Sequence, residues 1–205
     1  MIRTEVCIVG AGPGGVATAL KLSYLGISSV LIEKAVFPWD KICGDAISGK
    51  VTTLLNRLDP EIMKRFNARP IQSDVWGVRF VAPNGKELNI PFKANYVRNA
   101  ATAPGYVSRR MDFDHFLIEE VKRRDNIRYY EGVTIQHFEK IPNGFVIKDK
   151  TEDFCLETHI LIDASGAHSR FSRSYAGLEK DKRHHAGSVR AYFRNVKQLA
   201  KDIEG

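Results

Sequence analysis

The sequence predicts an α/β fold that opens with a Rossmann-like βαβ unit and is extended by antiparallel hairpins. Three observations predict it. The apolar run Val6-Cys7-Ile8-Val9 leads straight into Gly10-Ala11-Gly12-Pro13-Gly14-Gly15, with a helical stretch behind it. A second apolar run, Ser29 to Glu33, closes the unit after about 30 residues. Later, two pairs of apolar runs are each joined by Pro-Asn-Gly.

Glu5 to Val9 reads as a buried strand, because parallel strands covered on both faces are continuously apolar. A helix is predicted from about Gly14 to Leu25, with Ala19, Leu22 and Leu25 on its buried side and Gly26 ending it. Ser29 to Glu33 is the second strand. Residues 34–58 read as a loop and a short helix. Val78 to Phe92 and Thr134 to Lys148 read as hairpins turning at Pro83-Asn84-Gly85 and Pro142-Asn143-Gly144, where glycine supplies a positive φ. Between them, Asp112 to Arg124 is an amphipathic helix with Phe113, Phe116, Leu117 and Val121 on one face. Glu119 and Glu120 precede Lys122, Arg123 and Arg124, which suits the helix dipole. Ile127 to Tyr130 is a short strand, and Phe154 to Ile162 is a returning strand that ends in Asp163-Ala164-Ser165-Gly166.

Composition narrows the class. The chain is 43% hydrophobic and 27% charged, an ordinary globular profile. No apolar run reaches the roughly 18 residues that span a bilayer, and no charged and apolar leader precedes the first strand. The expectation is an intracellular, cytoplasmic protein. Cys7, Cys43 and Cys155 are far apart and form no metal-ligand spacing, so free thiols and no metal are expected. The net charge of +7 gathers at Lys180, Lys182, Arg183 and from Arg190 to Lys201. It carries no nucleic-acid motif and reads as a solvated face, as does His184-His185.

Gly10-x-Gly12-x-x-Gly15 has a strand before it and a helix behind it. Gly10 permits the tight turn, Gly12 lets the backbone approach a pyrophosphate, and Gly15 lets helix and strand pack closely. With Pro13 and Gly14, these residues form a candidate phosphate cradle at a helix N-terminus, where free N–H groups and the dipole favour negative charge. Glu33, followed by Lys34, ends the second strand about 20 residues on, where an acidic side chain accepts ribose hydroxyls. The glycine motif alone does not separate one dinucleotide from another.

Phe37-Pro38-Trp39-Asp40-Lys41-Ile42-Cys43-Gly44-Asp45 resembles the Pro-x-x-Lys-x-Cys-Gly stretch of the geranylgeranyl reductase family, flavoproteins with the para-hydroxybenzoate hydroxylase-like fold. The resemblance implies a Rossmann-like FAD-binding domain with an antiparallel β-meander and part of a β-rich substrate domain. It further implies that the 37–45 stretch approaches the isoalloxazine ring. Gly44 would allow close backbone approach, and Lys41 and Asp45 would be polar groups near the flavin edge. Cys43 is the candidate catalytic side chain, with a small buried hydrophobe as the alternative.

Arg110-Met111-Asp112-Phe113-Asp114-His115-Phe116-Leu117 resembles the family's Arg-x-x-Phe-Asp-x-x-Leu. By resemblance Arg110 contacts FAD near its pyrophosphate or ribityl chain, with Arg109 as a substitute. Val133 matches the position whose backbone meets the adenine. Asp163-Ala164-Ser165-Gly166-Ala167-His168-Ser169 to Arg173 resembles the Asp-Gly-x-x-Ser-x-x-Arg motif of flavin hydroxylases and makes Asp163 and Gly166 cofactor candidates. Ser165 departs from that motif, which weakens a hydroxylase-like use of NADPH at this site.

The resemblance runs from residue 1 to about 195. It divides the chain into an FAD-binding domain, 1–72 with 103–180, and a partial substrate-domain sheet, 73–102 with 186–205. In the second, Ser188 to Phe193 is expected as a strand. The family's later Gly-Asp flavin motif is not found before Gly205, so a partial chain is expected. The implied activity is reduction of isoprenoid or lipid carbon–carbon double bonds by hydride from reduced FAD. NAD(P)H or another reductant would supply the electrons, and a lipid substrate is compatible with surface membrane contact. Two rivals share the fold: an FAD-dependent monooxygenase or halogenase, and a non-catalytic prenyl-binding escort protein. Oligomeric state is not legible in the sequence.

Overall fold

The computed structural model describes residues 1–92, 103–179, 181–184 and 186–195. Lys180, His185 and the stretches 93–102 and 196–205, where parts of the expected substrate sheet and basic tail fall, lie outside the described residues. The chain gathers into two compact units: Met1–Trp39 with Asp114–Gly187, and Asp40–Phe113 with Ser188–Gly205. The boundaries expected from sequence near residues 72 and 102 fall inside the second unit.

The first unit is built on a six-stranded sheet. Its strands are β1 (Ile2–Val9), β2 (Ser29–Ile32), β8 (Ile127–Tyr130), β9 (Ile135–Ile141), β10 (Gly144–Asp149) and β11 (Cys155–Asp163), in the spatial order β8-β2-β1-β11-β10-β9. The first four in that order run parallel, and β10 and β9 add an antiparallel meander. All four residues of β2 are buried, as are Val6, Cys7 and Ile8 of β1. Burying each large aliphatic side chain of this layer contributes about 1.5–3 kcal/mol, which selects the continuous apolar runs seen in the sequence.

Helix α1 (Pro13–Tyr24) buries Val16, Ala19 and Leu20, the i, i+3, i+4 stripe. Leu25, expected on that stripe, is 59% exposed, because it lies past the last turn as the C-cap. Gly144 takes φ +143°, and a Cβ there would sit 2.0 Å from the Thr158 carbonyl oxygen. Its glycine is thus required by the close approach of β11 as well as by the turn. Helix α4 (Arg110–Lys122) buries Ile118 and Glu120 in addition to the expected Phe113, Phe116, Leu117 and Val121. It is covered on more than one face, so simple amphipathic patterning understates its burial.

The second unit holds a three-stranded antiparallel sheet of β3 (Ala46–Ile47), β7 (Gly105–Val107) and β4 (Ser73–Val75), in that order. A separate hairpin pairs β5 (Gly77–Val81) with β6 (Glu87–Pro91). Two helices, α2 (Gly49–Leu58) and α3 (Pro60–Asn67), pack beside the small sheet. Helix α3 was not anticipated, although its start is written in Asp59-Pro60-Glu61. Asp59 caps it by accepting from the Glu61 N–H at 2.9 Å, and Pro60 takes the first helical position. Phe66 anchors this unit, meeting the Tyr106 and Phe113 rings edge-on at 5.5 and 5.6 Å.

Ser188 to Phe193, expected as a strand, has no strand pairing. Val189 is fully exposed, and the segment is held by the side chains of Arg190 and Tyr192 instead of a backbone ladder.

Candidate functional site

The carboxyl ends of β1, β2 and β11 lie side by side, with Val9 paired to both Ile32 and Asp163. Three backbone bonds lace these ends: Gly10 N–H to Ile32 O at 2.7 Å, Ala164 N–H to Val9 O at 2.8 Å, and Val133 N–H to Glu33 O at 3.0 Å. This is the edge at which open parallel sheets bind ligands.

The glycine loop crosses this edge. Gly10 sits at φ +105°, and a Cβ on it would lie 2.4 Å from the Ala164 carbonyl oxygen. A Cβ on Gly15 would lie 1.8 Å from the Gly10 carbonyl oxygen. No side chain could be accommodated at either place without moving the loop. Gly12 is the N-cap of α1, Pro13 its first residue, and no side chain caps the helix. Gly14 is exposed, with open space around its missing Cβ. The first-turn N–H groups are thereby offered to an anion.

Glu33 is buried, and its carboxylate joins the loop after β1 to the turn after β2. Its Oε2 accepts from Ala11 N–H at 2.7 Å and its Oε1 from Ala35 N–H at 3.0 Å. A cavity of about 240 Å³ opens beside it. Gly10, Glu33, Lys34 and Val133 line one part of it, and Ser165, His168, Arg170 and Arg173 another. Val133 donates its N–H to Glu33 O, which fixes its backbone beside this cavity.

Asp163 organises the loop after β11. Its Oδ1 accepts from Ser165 N–H (3.1 Å) and Oγ (2.5 Å), and its Oδ2 from Ser169 Oγ (2.5 Å) and Ser172 Oγ (2.8 Å). Burial alone would raise this carboxyl, but the serine hydrogen bonds outweigh it and hold it below the usual aspartate value. Arg173 donates to the carbonyls of Ser169 and His168 at 3.1 and 3.2 Å, tying down the same loop. Gly166 lies exposed at its turn, with φ +82°. Ser172 is a member of this arrangement that sequence reading missed, and its spacing three residues after Ser169 was the available signal.

The remaining predicted residues lie in the second unit. Cys43 and Gly44 are exposed, and Lys41 is half-buried. The small buried hydrophobe alternative for Cys43 therefore fails, since its thiol faces solvent. Cys7 is the buried thiol, pushed up to about 12 by burial. Both Asp45 oxygens are engaged within the protein: Oδ1 accepts from Arg110 N–H at 3.1 Å, and Oδ2 from the Tyr192 hydroxyl at 2.8 Å. Arg110 is buried at the start of α4. Arg109 is exposed and paired with Asp112 at 2.7 Å. Arg190, expected on a solvated basic face, has a side chain only 15% exposed and pairs with Asp40 and Asp45. Sequence reading missed it because its partners are about 150 positions away. Among the described residues, no three metal-ligating side chains come together, and no helix is long and apolar enough to cross a membrane.

A sequence profile described as the FAD binding domain matches residues 3–203. The chain belongs to this family. FAD is therefore the cofactor against which the site is read, and the residues fit it: a glycine cradle that side chains would fill, an uncapped helix N-terminus, and a carboxylate at the end of β2. The chain is 31% identical, over 188 residues and 88% of its length, to the digeranylgeranylglycerophospholipid reductase of Methanococcus vannielii. It spans 42% of that relative, so less than half of the relative's length. It is 25% identical over 97% of its length to a 1H-pyrrole-2-carbonyl-[peptidyl-carrier protein] brominase of Pseudoalteromonas luteoviolacea, covering 46% of it. Among solved structures, a geranylgeranyl bacteriochlorophyll reductase-like protein of Thermoplasma acidophilum superposes with TM-score 0.68 at 25% identity, covering 87% of this chain and 43% of that one.

Proposed function

We propose that this chain is the flavin-binding part of an FAD-dependent oxidoreductase that reduces carbon–carbon double bonds of an isoprenoid or lipid substrate. The observation that carries the reading is the 31% identity, across 88% of the chain, to the digeranylgeranylglycerophospholipid reductase of Methanococcus vannielii. Bound and reduced FAD would supply a hydride, and an acid would supply the proton that completes saturation.

Each residue then has a task. Gly10, Gly12, Pro13, Gly14 and Gly15 with the α1 N-terminus hold the pyrophosphate, where the free N–H groups offset its charge. Glu33, with Lys34 beside it, takes the ribose, and the Val133 backbone the adenine, at the 240 Å³ cavity. Asp163, kept ionised by its serines, and Gly166 serve the ribityl side, as does Arg110. Lys41, Cys43 and Gly44 face the ring, with the exposed Cys43 thiol as the candidate catalytic group. The hairpin β5–β6 contributes to a substrate-binding sheet. Electrons would come from NAD(P)H or another reductant, and the cytoplasmic protein would meet a lipid substrate at a membrane surface.

The second reading, an FAD-dependent monooxygenase or halogenase, is favoured by the brominase match over 97% of the chain. One experiment separates the two. The full-length protein is loaded with FAD, reduced anaerobically with dithionite, and mixed with digeranylgeranylglycerophospholipid or geranylgeranyl diphosphate. Return of the oxidised flavin spectrum without oxygen supports the reductase. Reoxidation only on admitting oxygen favours the second reading. A protein that takes up no FAD overturns both and leaves the escort reading.

A further inference from the structure

Residues 40–45 form no regular element and end just before β3, yet their shape is fixed from two sides. On one side, Ser108 N–H donates to Asp45 O at 3.0 Å and Arg110 N–H to Asp45 Oδ1 at 3.1 Å. On the other stands Arg190. Its Nη2 donates to Asp40 Oδ2 at 2.5 Å, and its Nη1 reaches the carbonyls of Lys41 at 3.2 Å and Cys43 at 3.3 Å, and Asp45 Oδ1 at 3.5 Å. Tyr192 donates its hydroxyl to Asp45 Oδ2 at 2.8 Å, and its ring lies 4.8 Å beneath the Arg190 guanidinium. Two terminal nitrogens thus serve four acceptors spread over six residues, a task for a planar fork that a lysine ammonium cannot reproduce. Two of the acceptors are main-chain carbonyls, so the contact sets the course of the backbone around Cys43 and Gly44.

We propose that Arg190 and Tyr192 are positioning residues that clamp the 40–45 loop, with Asp45 as the anchor of the clamp and not itself a ligand of the cofactor. The clamp presents Cys43 and Gly44 in one fixed shape to the flavin ring. Its role toward the flavin rests on the FAD reading above; its grip on the loop does not.

The test uses the full-length protein carrying Cys155→Ser, with any accessible cysteine outside residues 1–205 also replaced by serine, so that a nitroxide attaches to the exposed Cys43 while Cys7 stays buried and unlabelled. Without FAD, the label is expected to be motionally restricted. Arg190→Ala should shift it to a fast-moving spectrum, Arg190→Lys should resemble Arg190→Ala, and Tyr192→Phe should fall between. Tyr192→Phe removes one hydroxyl and keeps the test decisive if Arg190→Ala does not fold. On unlabelled protein, FAD fluorescence titration should show affinity weakened about 10- to 100-fold by Arg190→Ala, with an altered visible spectrum of the bound flavin. An unchanged nitroxide spectrum in all three variants overturns the clamp. Affinity retained by Arg190→Lys with an unmoved label overturns it in favour of a direct anion ligand. A loosened label with wild-type affinity and spectrum overturns the role toward the flavin. A loosened label in a protein that never binds FAD supports the clamp and overturns the flavin reading alone.

Discussion

Glu33 ties the end of β2 to the end of β1 through the Ala11 N–H and braces its own turn through the Ala35 N–H, and its replacement should be costly before any cofactor is added. Each is a charge-assisted bond, worth about 1.5–3 kcal/mol, and the Ala11 N–H belongs to a residue only 1% exposed, so water cannot readily replace the carboxylate. Glu33→Gln keeps the shape and one acceptor, while its NH2 faces the other donor. The expected loss is about 2 kcal/mol, or roughly 4–8 °C in melting temperature for a chain of this size. Glu33→Ala removes both bonds, and a loss of about 3–6 kcal/mol is expected, a large part of a typical stability of about 5–15 kcal/mol. Thermal unfolding of the FAD-free protein, followed by circular dichroism, checks the ordering wild type, Gln, Ala. FAD titration should then show about tenfold weaker binding for Glu33→Gln, because the ribose shares that carboxylate. A Glu33→Ala protein that melts within about 2 °C of wild type would refute the claim that this side chain fastens the loop.

Gly15→Ala would place a methyl carbon 1.8 Å from the Gly10 carbonyl oxygen, so FAD binding should fall by at least about tenfold and stability by about 1–3 kcal/mol, measured by fluorescence titration and urea unfolding. Asp163 has its folded value depressed by the three serines, so its contribution is present above the unfolded value of about 3.9 and is lost as pH falls through the folded one. The acid-induced drop in the urea midpoint should therefore be shallower in Asp163→Asn. Cys7, raised to about 12, stays protonated in the folded chain while the unfolded thiol ionises near 9. Stability should fall by about 1.4 kcal/mol per pH unit between those values, a component absent in Cys7→Ala, and a thiol reagent should leave Cys7 untouched until the protein unfolds.

What the sequence disclosed was governed by distance along the chain. The βαβ unit, both hairpins and the Asp163 loop are local, and each carries its reason in neighbouring residues: an apolar run, a glycine, a serine three positions on. The clamp on 40–45 is invisible to such reading because Arg190 meets Asp40 across 150 positions, and an arginine in a basic stretch looks like any surface charge. The expected strand at Ser188 to Phe193 failed for a related reason. It was expected from the family resemblance, whereas the contacts that Arg190 and Tyr192 make are to side chains about 150 positions away. Helix α3 was legible in Asp59-Pro60-Glu61, and only its shortness hid it.

The position of β11 beside β1 has a consequence for synthesis. Strand β1 leaves the ribosome before β2 and gains it quickly, but its other flank is completed only by residues 155–163. Until then one edge of β1 presents unpaired backbone groups, a template for pairing with another chain. The whole of the second unit's segment 40–113 is translated in that interval, at about 5–20 residues per second. The nascent chain thus spends seconds with its future central strand half-sheltered, and substitutions that slow the closing of β11 onto β1 should lower the yield of soluble protein more than they lower the stability of the finished fold.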